Sequence, residues 1–222
     1  HIGSQLTKIS PFVDSLTIVA GLIQTLRNKG IPIQYLNIGG GLGITYSDEQ
    51  PPHPTELAEA ITPLLKETQC EIVMEPGRVI VGNAGILLTR VLYIKDSGTK
   101  KFAIVDAAMN DLLRPSLYEA HHDILPVNQV PNTKEDIFDV VGPICESGDF
   151  LAKNRTMPTV KEGDLLSVMS AGAYAFTMAS NYNSRPRVPE ILVKGGESFV
   201  IRERESYDDL IRGEHTPDFL NA

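Results

Sequence analysis

Between Pro11 and Lys29 the apolar residues Phe12, Leu16, Val19, Ala20, Ile23 and Leu26 recur at the period of an amphipathic helix, and Gly30 marks its end. Ile31 to Ile38 is a short, mostly apolar run leading into Gly39-Gly40-Gly41-Leu42-Gly43, the pattern of a buried parallel strand entering a tight loop. A second helix is expected from Thr55 to Thr68, with Pro63 as a local fault. A second strand is expected from Glu71 to Glu75, closed by Pro76-Gly77-Arg78. Helix, strand, helix, strand predicts parallel βαβ units. After about Asn83 the pattern changes. Ile86 to Lys95 and Lys101 to Ala107 flank Asp96-Ser97-Gly98-Thr99, while Ile191 to Lys194 and Ser198 to Arg202 flank Gly195-Gly196-Glu197; both read as antiparallel hairpins. Leu112 to Val130 and Arg185 to Pro189, both interrupted by proline, read as irregular connectors. The expected organisation is an α/β domain over residues 1–83 and a mainly antiparallel β domain over 84–222, with no internal repeat.

The 222-residue chain is 42% hydrophobic, enough for one or two ordinary cores, and no apolar run reaches the roughly 18 residues that span a bilayer. A soluble protein without a membrane partner is expected. The formal net charge of −8 disfavours nucleic acid, which rewards clustered Lys and Arg, and leaves a small organic ligand as the better expectation. Cys70 and Cys145 offer neither a disulfide framework nor the spacing of a metal site, which suits the reducing cytoplasm. The chain opens at His1 without the basic and apolar regions of a signal peptide, so its start reads as a truncation.

Three glycines after a strand let the backbone turn sharply and present N–H groups to an anion. Alone they allow a phosphate cradle or a plain strand-to-helix turn, because neither a Gly-Lys-Ser/Thr nor a full dinucleotide fingerprint is present. Glu75-Pro76-Gly77-Arg78 ends the next strand and would set a carboxylate and a guanidinium on the same rim. Two readings stay open for Glu75: a structural ion pair with Arg78, or a carboxylate that holds a proton on a ring nitrogen.

His1-Ile2-Gly3-Ser4-Gln5, Gly39 to Gly43, Glu75 to Arg78, Cys145-Glu146-Ser147-Gly148-Asp149 and Gly172-Ala173-Tyr174 occur in the order seen in fold-type III pyridoxal-phosphate-dependent decarboxylases, and the chain resembles that family over nearly its whole length. The resemblance implies an α/β plus β fold: the last strands of a (β/α)8 TIM-type barrel, about three of its eight, followed by an antiparallel β-barrel or sandwich domain. It also implies a homodimer with shared active sites and pyridoxal 5'-phosphate as cofactor. By the same resemblance His1 stacks on the pyridine face, and Ser4 with Gly39, Gly40 and Gly41 contacts phosphate. Glu75 pairs with the ring nitrogen, Pro76 and Gly77 carry the segment, and Arg78 binds phosphate or the substrate carboxylate. Tyr174 reaches cofactor or substrate, and Cys145 donates a proton across the dimer.

Arg114-Pro115-Ser116-Leu117-Tyr118 is similar to the substrate-binding segment of diaminopimelate decarboxylases. That similarity implies that Arg114 and Tyr118 hold a distal carboxylate, for which a planar guanidinium is suited, and that Glu146 accepts from the distal ammonium. The implied reaction is decarboxylation of meso-2,6-diaminopimelate to L-lysine. Related decarboxylases of ornithine, arginine or carboxynorspermidine, and a non-catalytic binding module, remain as alternatives. The family's Schiff-base lysine sits on a first barrel strand that nothing here matches, so the role is carried to no residue and the chain alone is expected to be an inactive fragment.

Overall fold

The computed structural model describes residues 1–220. Its contacts divide the chain into two units: His1–Leu87 with His121–Leu125 and Ser167–Tyr174, and Leu88–Ala120 with Pro126–Leu166 and the chain from Ala175 onward. Among the described residues no helix is long and apolar enough to cross a membrane.

The first unit runs α1 (Ser10–Asn28), β1 (Tyr35–Asn37), α2 (Pro54–Thr68), β2 (Glu71–Val73) and α3 (Arg78–Val81). The end of α1 follows from Gly30, whose φ of 79° lets its N–H reach the Arg27 carbonyl at 2.9 Å while Ile31 N–H returns to Leu26 at 3.1 Å. α2 starts one residue before the expected Thr55, behind a cap at His53. His53 accepts from the Thr55 N–H, Glu56 reaches back to the His53 N–H at 3.1 Å, and Pro54 takes the first position, where no N–H partner is needed. The stripe Phe12, Leu16 and Ile23 of α1 packs with Leu36, Leu42, Leu57 and Ile61 as one core. β1 and β2 pair in parallel, Tyr35 with Glu71 through Asn37 with Val73, as the alternation of elements predicts. Both strands are shorter than expected and are not buried on both faces: Tyr35 is 62% exposed while Leu36 beside it is buried. A two-stranded sheet has no further strands to cover the alternate side chains.

A six-stranded sheet in the order β5-β8-β3-β4-β6-β7 supplies the second unit with β3 from Leu88 onward, β4, β6 and β7. Its strands are β3 (Leu87–Asp96), β4 (Lys101–Val105), β5 (Ile124–Pro126), β6 (Glu135–Val141), β7 (Phe150–Pro158) and β8 (Leu165–Val168). Val91, Ala103, Val105, Phe138, Val140, Leu151, Met157 and Leu166, each at most 2% exposed, form its core. Both expected hairpins form: β3 with β4, and β9 (Glu190–Lys194) with β10 (Glu197–Arg202). Two expectations are corrected. The sheet is mixed, because β4 pairs with β6 in parallel, which the long stretch between them permits. The segment 112–130 is not wholly irregular, since it contains the short helix α4 (Arg114–Tyr118) and β5. β6 escaped the alternating pattern because a register shift between Phe138 and Val140 leaves three successive residues, Phe138, Asp139 and Val140, all buried.

Candidate active site

In the first unit the segment after His1 is pinned beside the glycine loop. Leu6 N–H donates to Gly41 O and Gly43 N–H to Leu6 O, both at 2.9 Å, and the Gln5 amide clasps both backbone groups of Ile44. The loop can come this close only without side chains. A Cβ on Gly40 would stand 2.2 Å from the Glu75 carbonyl oxygen and one on Gly41 2.4 Å from that of Gly3, while Gly39 and Gly41 have φ of 68° and 108°. Gly40 and Gly41 keep N–H groups with no acceptor among the described residues.

These elements enclose one side of a cavity of about 940 Å³. His1, Ser4, Gly39–Gly41, Glu75–Arg78 and Tyr174 line it, so all ten residues read as cofactor-binding meet there, and no lysine does. Arg78 is not paired with Glu75. Its Nη1 donates to Tyr46 Oη at 2.6 Å and its Nη2 to Ser4 Oγ at 2.8 Å, while its guanidinium lies 4.9 Å from the Tyr174 ring centre and 5.6 Å from that of Tyr46. Arg78 Nε is buried without a partner. Glu75 instead accepts from Asn37 Nδ2 at 2.5 Å. Tyr46 also meets the ring of the fully buried His122 edge-on at 5.2 Å.

The second unit gathers the remaining residues. The loop from Gly142 to Asp149 folds around the Asp149 carboxylate, which accepts from Met109 N–H at 2.8 Å and Ile144 N–H at 2.9 Å. A Cβ on Gly142 would lie 2.3 Å from that carboxylate. Ser116 Oγ of α4 donates to the Gly148 carbonyl, which ties Arg114 and Tyr118 to the loop carrying Cys145 and Glu146. Arg114 is 8% exposed, Tyr118 is 62% exposed, and Cys145 is an exposed free thiol. Glu146 Oε1 accepts from Gly148 N–H at 3.0 Å and Oε2 from Tyr182 Oη at 2.8 Å. The Gly148 N–H first, and then Tyr182, hold its carboxyl below the usual range, and the same contact pushes the Tyr182 phenol up. Asn37, Tyr46, Ser116, Asp149 and Tyr182 escaped sequence reading. Ser116 and Asp149 lie inside motifs that were read and Asn37 two residues before one, which is the only signal they carried.

The family model described as pyridoxal-dependent decarboxylase, C-terminal sheet domain, matches residues 13–172. A diaminopimelate decarboxylase of Aquifex aeolicus is 51% identical over 95% of this chain and 50% of its own length, and one of Vibrio cholerae is 50% identical over the same shares. A crystal structure of diaminopimelate decarboxylase from M. jannaschii in co-complex with L-lysine superposes with a TM-score of 0.93 at 40% identity, over 99% of this chain and 52% of that one. The chain thus spans about half the length of the curated relatives it matches.

Proposed function

The chain belongs to the pyridoxal-dependent decarboxylases through their C-terminal sheet domain, and from that premise we propose that it is the C-terminal half of a diaminopimelate decarboxylase, which converts meso-2,6-diaminopimelate to L-lysine and carbon dioxide. The observation that carries the reading is the meeting of His1 and Ser4, Gly39–Gly41, Glu75–Arg78 and Tyr174, four separate stretches of sequence, around one cavity.

Pyridoxal phosphate fits this group on its own chemistry. The acceptorless N–H groups of Gly40 and Gly41, the Ser4 hydroxyl and the orphaned Arg78 Nε suit a phosphate. The Glu75 carboxylate, open to the cavity, suits a protonated ring nitrogen, and His1 supplies a flat face for a ring. Bound there, the cofactor supplies an electron sink for the pair left behind when carbon dioxide departs. Glu75 keeps the ring nitrogen protonated, Arg78 fixes phosphate or substrate carboxylate, and Tyr174 flanks Arg78. Because the lining holds no lysine, the covalent lysine is supplied by protein outside this chain, with β1 and β2 joining further strands of a (β/α)8 barrel.

The substrate is chosen in the second unit. Arg114 and Tyr118 hold the distal carboxylate, Glu146 accepts from the distal ammonium, and Cys145 delivers the proton that replaces the lost carboxylate, reaching the cavity of a partner subunit in a cytoplasmic homodimer. The Ser116–Gly148 hydrogen bond supports this, since it joins the two segments that recognise opposite charges of one stereocentre. The test is carbon dioxide release by the full-length protein with pyridoxal phosphate, from meso-diaminopimelate against ornithine, arginine and carboxynorspermidine. Turnover of diaminopimelate alone is expected; turnover of another substrate overturns the assignment of Arg114.

A further inference from the structure

Glu75 and the glycine loop are governed by one side chain that does not itself line the cavity. Asn37 closes β1, and its Oδ1 accepts from the Gly39 N–H at 2.7 Å while its Nδ2 donates to Glu75 Oε1 at 2.5 Å. The pair of bonds fixes which way round the amide lies, because only its oxygen can accept and only its nitrogen can donate. Glu75 N–H donates in turn to Gly39 O at 2.9 Å, so Asn37, Gly39 and Glu75 form a closed ring of hydrogen bonds. Glu75 Oε2 has no partner among the described residues.

We propose that Asn37 is a positioning residue for Glu75: it engages one carboxylate oxygen, turns the other toward the bound ligand, and couples that orientation to the phosphate-facing loop. The inference rests on the reading of Glu75 as the partner of a protonated ring nitrogen. An amide is suited to the task on electrostatic grounds. A Lys or Arg at position 37 would neutralise the field that Glu75 sets up, and an Asp would place two carboxylates within hydrogen-bonding distance, where one must take up a proton. A neutral donor orients the carboxylate without cancelling its charge.

The test uses full-length protein and the variant Asn37→Asp, which keeps the acceptor for Gly39 N–H and removes the donor to Glu75. Apo-protein is titrated with pyridoxal phosphate from acid to alkaline pH and followed by the cofactor's visible absorption. Cofactor affinity is expected to gain an ionisation that the unaltered protein lacks, and kcat to fall about 10- to 100-fold, as for loss of an outer group that orients a direct contact, with KM for the amino acid unchanged. In the double variant Asn37→Asp/Glu75→Gln the hydrogen bond is remade with a single carboxylate, so the added ionisation disappears while kcat stays low. An Asn37→Asp protein with the unaltered pH profile overturns the proposal, as does loss of folding in both variants, which assigns Asn37 to structure alone. A protein that shows the Asn37-dependent profile yet releases no carbon dioxide from diaminopimelate sinks the functional reading and leaves the role of Asn37 standing.

Discussion

The Tyr182 hydroxyl donates to Glu146 Oε2 at 2.8 Å while the Gly148 N–H occupies Oε1 at 3.0 Å, so the carboxylate proposed to meet the distal ammonium is gripped by both oxygens. With its pKa lowered, Glu146 stays anionic into more acidic solution than an ordinary glutamate. Tyr182→Phe removes the second-largest of the lowering contacts, after the Gly148 N–H, so the pKa rises and the carboxylate is neutralised at a higher pH on acidification. KM for diaminopimelate is expected to rise severalfold with kcat little changed, and the acid limb of kcat/KM to shift toward neutral pH. An unmoved acid limb would show that Glu146 does not bind the substrate's cation.

Gly40→Ala tests the cradle. The added Cβ would lie 2.2 Å from the Glu75 carbonyl oxygen, well inside contact distance, so the loop and the end of β2 must separate. That movement also strains the Glu75 N–H bond to Gly39 O. Pyridoxal phosphate affinity is expected to fall at least about tenfold, the cost of about 1.4 kcal/mol of lost binding, read by equilibrium titration. Gly98→Ala serves as the control, since its added Cβ meets nothing within 4 Å although its φ of 82° carries some strain.

How much of this could be read beforehand divides by the range of the interactions. The helical stripe from Phe12 to Leu26, the hairpin turn at Gly98 and the parallel pairing of β1 with β2 rest on local pattern, and all were legible. The ten cavity residues were legible from motif order. What sets their geometry was not: Tyr46 reaches Arg78 across 32 positions and Asn37 reaches Glu75 across 38, distances over which no periodicity speaks. The choice between a Glu75–Arg78 ion pair and separate partners likewise turned on Tyr46 and Ser4, which only folding brings near. The return of His121–Leu125 to the first unit belongs to the same class, since nothing in that short segment announces a distant partner, whereas Gly172-Ala173-Tyr174 within Ser167–Tyr174 carried a motif that did.

Glu205 contributes to the acid sensitivity of the second unit. Its carboxylate accepts from the Arg187 side chain and N–H and from Asn181 Nδ2, and the Arg187 contacts foremost hold its pKa to about 2. Because the folded-state pKa lies below that of the unfolded chain, this stabilisation is fully present above the unfolded value, about 4.3, and is lost as pH falls from there toward 2. Melting temperatures of the unaltered protein and Glu205→Gln are therefore expected to differ at neutral pH and to converge across that window. A constant difference down to pH 2 would rule out the linkage.

Tyr46→Phe separates the two ways in which Arg78 is held. The phenyl ring keeps its place beneath the guanidinium and its edge contact with His122, but Nη1 loses the hydroxyl that accepted from it at 2.6 Å. Arg78 then retains Ser4 Oγ and the Tyr174 face, with a second guanidinium nitrogen joining Nε in having no acceptor. A partly buried donor left without an acceptor costs about 1–3 kcal/mol, which is expected to appear as a lower melting temperature in the apo-protein. A phosphate in the cavity would offer the freed nitrogen a new acceptor. Saturating pyridoxal phosphate should therefore restore most of the lost melting temperature in Tyr46→Phe, whereas in Arg78→Lys, which lacks the planar fork, it should not. Equal restoration in both variants would mean that Arg78 does not face the phosphate.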